Sequence, residues 1–401
     1  MSSRVICGDV LTVLGGMDDN IYHGVLCDPP YGLKFMGKAW DHGVPGVDVW
    51  AEVLRVCRPG AHLLAFGGSR TFHRLVCAIE DAGWEIRDSL QWIYGSGFPK
   101  SHDVGKALDR EAGAVRDIIG VRTLDGNAAV SCKEKGGTYV AGASFTGIKD
   151  VDVTAPATDA ARTWDGYDTA LKPAHEPIVL ARKPLDGTVA NNVQKWGCGA
   201  LWIAGCRVGT EILPEVTKGV SKIGTFEGAD GNITPQRSGR WPANIIHDGS
   251  DEVVSGFPDG QPPKKQRIGL RGGSPIHGSP AIGTPDKVGV WPGDNGGSAS
   301  RFFYCAKASK KERGDGNNHP TVKPTTLTEY LARLIIPANG GKMLVPFSGS
   351  GSEMIGALNA GWGSVTGIER EQDYADIAVN RLQAVREIDA VLTKYPEKDG
   401  E

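Results

Sequence analysis

The residues Asp28-Pro29-Pro30-Tyr31 carry the most legible chemistry in the chain. They follow the apolar run 23–27, which reads as a buried strand. The tetrapeptide therefore falls at a strand's carboxyl end, where open α/β sheets bind ligands. The Asp28 carboxylate and the Pro29 carbonyl are acceptors, and neither proline has an N–H to compete for them. Two acceptors on one stiff loop suit a poor nucleophile such as an exocyclic ring amine, whose lone pair is delocalised. They can hold its N–H bonds and reshape the nitrogen toward tetrahedral. Tyr31 adds a ring on which a base drawn out of a duplex can stack. Turns use the same residue types, and what separates this tetrapeptide from a plain turn is the buried strand directly before it.

A second candidate is Val345-Pro346-Phe347-Ser348-Gly349-Ser350-Gly351, which also ends a strand-like run and opens a helix. Its glycines let a ligand approach the backbone, and a helix start favours a carboxylate. Glu369 ends the next strand, where an acid can accept both hydroxyls of a ribose. The other reading of Glu369 is a solvated charge in the run Glu369-Arg370-Glu371. Asp9, after strand 5–7, can accept from the amino group of an adenine, cap a helix, or both. Lys323, in the stretch His319-Pro320-Thr321-Val322-Lys323-Pro324, is a cation for a cofactor carboxylate or part of a proline-rich linker.

Two ends of the chain supply the elements that must position these groups. At the N-terminal end, strands are predicted at 5–7, 23–27, 61–66 and 84–94, with helices at 10–17, 49–57 and 71–82. Pro59-Gly60 is expected to end the second of these helices. At the far end, helices are predicted at 325–335, 353–360 and 374–385, the last running on to 392, with strands at 341–347 and 364–368. Such alternation implies a parallel sheet covered by helices. The middle is rich in Gly, Pro and Trp. Within it, 175–182 is strand-like and expected to rejoin the sheet. The resulting division is 1–95, a loop-rich insertion 96–172, a core strand 173–184, a region 185–315, and 316–401.

At 401 residues with 56 glycines, the chain suits a core with a large insertion better than one compact core. No apolar run has the length of a membrane span, and residues 1–4 lead straight into a strand-like run with no sign of a signal peptide. Eight cysteines include no Cys-x-x-Cys pair, so no metal site is expected, and buried free thiols fit a cytoplasmic location. The net charge of −3 argues against a protein that coats nucleic acid. Residues 261–313 nevertheless carry ten Lys and Arg against three acids, which reads as a DNA-facing patch or a solvated loop.

The Asp28–Tyr31 tetrapeptide early and the Phe347–Gly351 loop late give the chain its resemblance to a known family. It resembles the β-type amino-group DNA methyltransferases, in particular prophage-type site-specific modification methylases of bacterial or phage origin. The resemblance extends to Gly95-Ser96-Gly97-Phe98-Pro99-Lys100, His175-Glu176-Pro177, residues 301–307 and 319–324. It implies an α/β, Rossmann-like, seven-stranded and mostly parallel sheet in a circularly permuted motif order, with a loop-rich target-recognition insertion. It implies S-adenosylmethionine as donor and double-stranded DNA, with a flipped base, as substrate. It assigns Asp28, Pro29, Pro30 and Tyr31 to catalysis, Glu369 to the donor's ribose and Asp9 to its adenine. Phe347, Ser348, Gly349, Ser350 and Gly351 form its loop for the donor.

Adenine N6 is the expected target, because cytosine-N4 members more often carry Ser in place of Asp28; cytosine N4 is the alternative. One position departs from the pattern. The family usually has Asp where this chain has Val345, to meet the donor's ammonium. Losing that charge-assisted bond costs on the order of 1.5–3 kcal/mol. A weak or inactive DNA-binding relative is therefore a third reading. Trp164, Trp196, Trp202, Trp241, Trp291, Phe302, Phe303 and Tyr304 are aromatic candidates in the insertions, expected mostly in small cores. The recognised sequence, a homodimer and a paired restriction enzyme are left open.

Overall fold

The computed structural model describes residues 2–33, 43–97, 101–124, 132–133, 139–140, 149–213, 216–217, 233–234, 237–260, 297–306, 317, 319, 321–385 and 390–394. Of the ten Lys and Arg in the stretch 261–313 only Arg301 falls among them, and Phe98, Pro99, Lys100 and Trp291 lie outside.

A ten-stranded sheet organises the chain. Its strands are β1 (Ser2–Cys7), β2 (Tyr22–Cys27), β3 (Cys57–Phe66), β4 (Glu85–Ile93), β5 (His175–Arg182), β6 (Ile245–His247), β7 (Tyr304–Cys305), β8 (Lys342–Val345), β9 (Ser364–Glu369) and β10 (Ala390–Lys394). Their spatial order is β7-β6-β4-β5-β3-β2-β8-β9-β1-β10. Every pairing is parallel except those of β5, which runs against both β3 and β4. The seven strands from β4 to β1 form the expected methyltransferase sheet. The short strands β6 and β7 extend one edge and β10 the other.

The helices are α1 (Val10–Gly15), α2 (Val47–Val56), α3 (Phe72–Asp81), α4 (Val104–Glu111), α5 (Asp159–Thr163), α6 (Val189–Trp196), α7 (Asp251–Val254), α8 (Thr325–Leu334), α9 (Ser352–Ala360) and α10 (Gln372–Val385). Central strands are covered on both faces, so they read as continuous apolar runs. Successive residues then feed opposite cores. Ile6, Val25 and Leu63 pack with α1, α2 and α3, while Val5, Leu26 and Leu64 pack with α8, α9 and α10. Each such side chain, fully buried, contributes about 1.5–3 kcal/mol. Gly356 of α9 lets α8 press close, because a Cβ there would lie 2.3 Å from Thr328 Oγ1.

Two expectations are corrected. The last helix does not run on to 392: α10 ends at Val385, and the β-favouring run Ala390–Lys394 pairs with the open edge of β1. Pro59-Gly60 does not end α2. The helix stops at Val56, Cys57 is already extended, and the pair lies inside β3 with Gly60 at φ +80°.

The first insertion folds on itself. An antiparallel hairpin, Ile118–Leu124 with Lys149–Thr154, stands beside α4 and α5. Buried Asp109 joins them by accepting from Ala157 N, Thr158 N and Thr158 Oγ1, and by pairing with Arg116 at 2.9 Å. Its neck is closed where Ser101 Oγ accepts from Thr169 N and Ala170 N. Among the described residues no helix is long and apolar enough to cross a membrane.

Candidate active site

The sheet's topology sets where ligands can bind. Beyond β2 the chain moves one way to β3, and beyond β8 it moves the other way to β9, so adjacent β2 and β8 form a switch point. A cavity of about 770 Å³ opens there. Taken across the sheet, its floor is Trp92 and Tyr94 at the end of β4, Glu176 at the start of β5, and Gly68 after β3. Next come Asp28 after β2, Phe347 after β8, Glu369 as the last residue of β9 and Asp9 after β1. The antiparallel run of β5 is what brings Glu176 to this rim, since its first residues meet the other strands' ends.

Asp28 stands midway along this row, inside a cluster of four polar groups. Its Oδ1 accepts from the Tyr31 hydroxyl at 2.7 Å and its Oδ2 from Lys323 Nζ at 2.6 Å. The same hydroxyl lies 3.0 Å from Glu176 Oε2, and Lys323 Nζ lies 3.2 Å from that oxygen. Burial opposes the charge on Lys323, but Asp28 and Glu176 outweigh it and raise its pKa. Burial first, then the same two carboxylates, push the Tyr31 phenol well above its usual range. The Tyr31 carbonyl accepts from Thr71 Oγ1 at 2.7 Å, which anchors the end of the loop to the start of α3.

On one side of Asp28, Trp92 and Tyr94 make a tilted pair with centroids 5.0 Å apart. The Trp92 indole N–H is buried and unpaired among the described residues. On the other side is the glycine loop. Gly349 holds φ +48°, and a Cβ there would meet His319 Nε2 at 3.0 Å. Its N–H donates to Glu369 Oε2 at 2.8 Å, and Glu371 N donates to Glu369 Oε1 at 2.9 Å. Burial raises the Glu369 pKa, against the pull of these N–H groups. Phe347 lines the cavity with its ring edge toward Trp50, 6.3 Å between centroids. The Ser348 hydroxyl is buried and has no partner among the described residues.

The chain matches the family model described as DNA methylase over residues 22–380. It belongs to the N6/N4 DNA methylase family. Among curated proteins, this family member is 35% identical over 92 residues to the Type II methyltransferase M.ScaI of Streptomyces caespitosus. That match takes 23% of this chain and spans about 30% of the relative's length. Among solved structures it is similar to TTHA0409 of Thermus thermophilus, at 13% identity and TM-score 0.42, covering 98% of this chain and 100% of that one. It is similar also to the PvuII DNA methyltransferase (cytosine-N4-specific), at 9% identity and TM-score 0.44, covering 98% and 95%.

The methylase chain thus brings Asp28, Pro29, Pro30, Tyr31, Asp9, Lys323, Phe347, Ser348, Gly349, Ser350 and Glu369 to one cavity. Three of these groups have structural duties besides. Asp9 Oδ1 caps α1 by accepting from Leu11 N and Thr12 N. Ser350 Oγ accepts from Arg381 and Asn317, bracing the loop from behind. Lys323, expected at a cofactor carboxylate, instead pairs with Asp28 and Glu176. Gly351 does not line the cavity: at φ +85° it faces α10, and a Cβ would lie 3.1 Å from Ala378.

Sequence reasoning gave no role to Glu176, Trp92, Tyr94 or Glu353. Glu353 had a signal, as the single charge in the otherwise apolar helix Ser352–Ala360. The aromatic candidates also differ from expectation. Trp164, Trp202 and Trp241 are about half exposed, and Arg207 lies over the Trp241 ring at 5.5 Å. Tyr304 does join the core, stacked on Tyr330 at 3.8 Å.

Proposed function

We propose that the protein is a DNA methyltransferase. It transfers a methyl group from S-adenosylmethionine to the exocyclic amine of a flipped base in double-stranded DNA, adenine N6 in particular. The observation that carries this reading is the place of Asp28, midway along one cavity between an aromatic wall and a glycine loop. A group-transfer site needs such an order, with acceptor, activating carboxylate and donor in a row.

The donor side suits S-adenosylmethionine. Glu369 places a carboxylate in the cavity that can accept from a ribose diol, and Ser348 offers a buried hydroxyl with no partner among the described residues. Gly349 lines the cavity without a side chain, and Asp9 lies at the adenine end of the row. When bound, the donor supplies an electrophilic methyl group on a sulfonium.

The remaining steps belong to the chain's own residues. Trp92 and Tyr94 provide the faces against which an unstacked base can lie. Lys323 fixes Asp28 Oδ2, which leaves Oδ1 to the Tyr31 hydroxyl. An incoming amine donates to Oδ1 and displaces the Tyr31 hydroxyl, which retains Glu176 as its acceptor. The Pro29 carbonyl takes the second N–H. Both acceptors favour the pyramidal nitrogen of the transition state over the planar amine, which is where catalysis comes from.

The test is incubation of the purified chain with S-adenosylmethionine and unmethylated duplex DNA, followed by nucleoside mass spectrometry. N6-methyladenine is expected. N4-methylcytosine would move the target to the other base, and no methylated nucleoside from folded, DNA-binding protein would overturn the reading.

A further inference from the structure

The cavity is lined by six carboxylates: Asp9, Asp28, Glu176, Glu353, Glu369 and Glu371. Asp9 caps a helix, Asp28 and Glu176 hold Lys323, and Glu369 accepts two backbone N–H groups. Glu353 differs. It is 4% exposed, yet among the described residues no cation lies within ion-pair distance of it. Burial and the charge of Asp28 push its carboxyl up to about 7, against the pull of its own helix N–H, Lys323 and Arg381. A buried carboxylate in a helix as apolar as α9 is costly unless something positive meets it.

Its place says what that cation is. Glu353 is the second residue of α9, directly after the loop that carries Phe347, Ser348 and Gly349. It therefore stands at the donor end of the cavity, beside Asp28. Val345, where the family resemblance leads an acid to be expected, is wholly buried in the apolar cluster with Leu26 and Met354, and it does not line the cavity. The β8 end thus offers the donor no charge, while the first turn of α9 does. We infer that Glu353 binds the ammonium group of the methyl donor's amino-acid end, taking over the part that Val345 cannot play. This rests on the donor being S-adenosylmethionine, as proposed above. The exchange keeps a negative charge at the same end of the cavity but brings it from the helix side of the loop instead of the strand side.

The experiment is calorimetric titration of the full chain and of Glu353→Gln. The ligands are S-adenosylmethionine and 5′-methylthioadenosine, which keeps the nucleoside and sulfur but lacks the amino-acid end. Removing a charge-assisted bond should weaken S-adenosylmethionine at least about tenfold in Glu353→Gln. Binding of 5′-methylthioadenosine should stay as in the unmodified chain, which also shows that the variant is folded. Unchanged affinity for S-adenosylmethionine, or equal weakening of both ligands, would overturn the assignment. If the unmodified chain binds neither ligand, the donor itself is wrong and the assignment falls with it.

Discussion

The Lys323 ammonium lies 2.6 Å from the Asp28 carboxylate, joining residues 295 positions apart. Between them runs most of the chain, insertions included. The pair therefore ties the early half of the sheet to the late half at the centre of the cavity, and Glu176 of β5 shares the same cation.

Removing that cation should cost stability. Lys323→Met leaves Asp28 and Glu176 facing each other in a poorly solvated place, which should lower the free energy of unfolding by about 3 kcal/mol. Urea denaturation followed by circular dichroism measures it. Adding Glu176→Gln should recover part of the loss; no recovery would show that Lys323 acts through its packing on the Phe66 ring, 4.9 Å away.

Asp28→Ala should separate chemistry from donor binding. Transfer to DNA is expected to fall by about a hundredfold or more, as when a preorganised electrostatic partner is deleted. Affinity for S-adenosylmethionine should stay close to that of the unmodified chain. Retained transfer would remove Asp28 from the catalytic step.

Gly349→Val should do the reverse. The left-handed backbone at φ +48° would be strained by about 1–2 kcal/mol, and the new side chain would meet His319 and enter the cavity. Donor binding by calorimetry should be lost while the far-ultraviolet spectrum is kept. Unchanged affinity would show the donor to lie elsewhere.

Glu353 should leave a mark on the pH dependence of stability. Its folded pKa of about 7 is above the ordinary 4.5, so between these values the folded chain binds a proton that the unfolded chain releases. This group's contribution to stability is thus most favourable below about pH 4.5, and it declines as pH rises through about 7. Glu353→Gln cannot ionise. Its melting temperature should match that of the unmodified chain near pH 5 and exceed it near pH 8, by up to about 3 kcal/mol in free energy. Burial sets the shift first and the charge of Asp28 adds to it, while the helix N–H, Lys323 and Arg381 oppose it, and the comparison should be made without donor. A constant difference across that range would show that Glu353 does not titrate there.

The sequence made the central architecture legible because its signals are local. A buried apolar run followed at once by Asp28, by Phe347 or by Glu369 places each at a strand end. Strand order then brings them together. The remaining features depend on long-range meetings. Lys323 reads as a cation for a cofactor carboxylate or as part of a linker, and only the meeting of residues 295 positions apart makes it a partner of Asp28. Glu176 became a site residue because β5 runs backwards. Gly351 belongs to the glycine loop by pattern, yet its missing side chain makes room for α10. At the chain's end, the open edge of β1 draws Ala390–Lys394 into a strand, although the residues before it suit a longer helix.

The reversed strand β5 has a consequence for how such a protein can change. Because β4 ends and β5 begins at the same rim, residues 94–174 leave and re-enter the sheet on the side of Asp28, and the Ser101–Ala170 neck fastens the excursion shut. Among the described residues, Lys172 also ties its end to Glu252. A change of length within that excursion can therefore be absorbed without moving the strand ends that carry Asp28, Phe347 and Glu369.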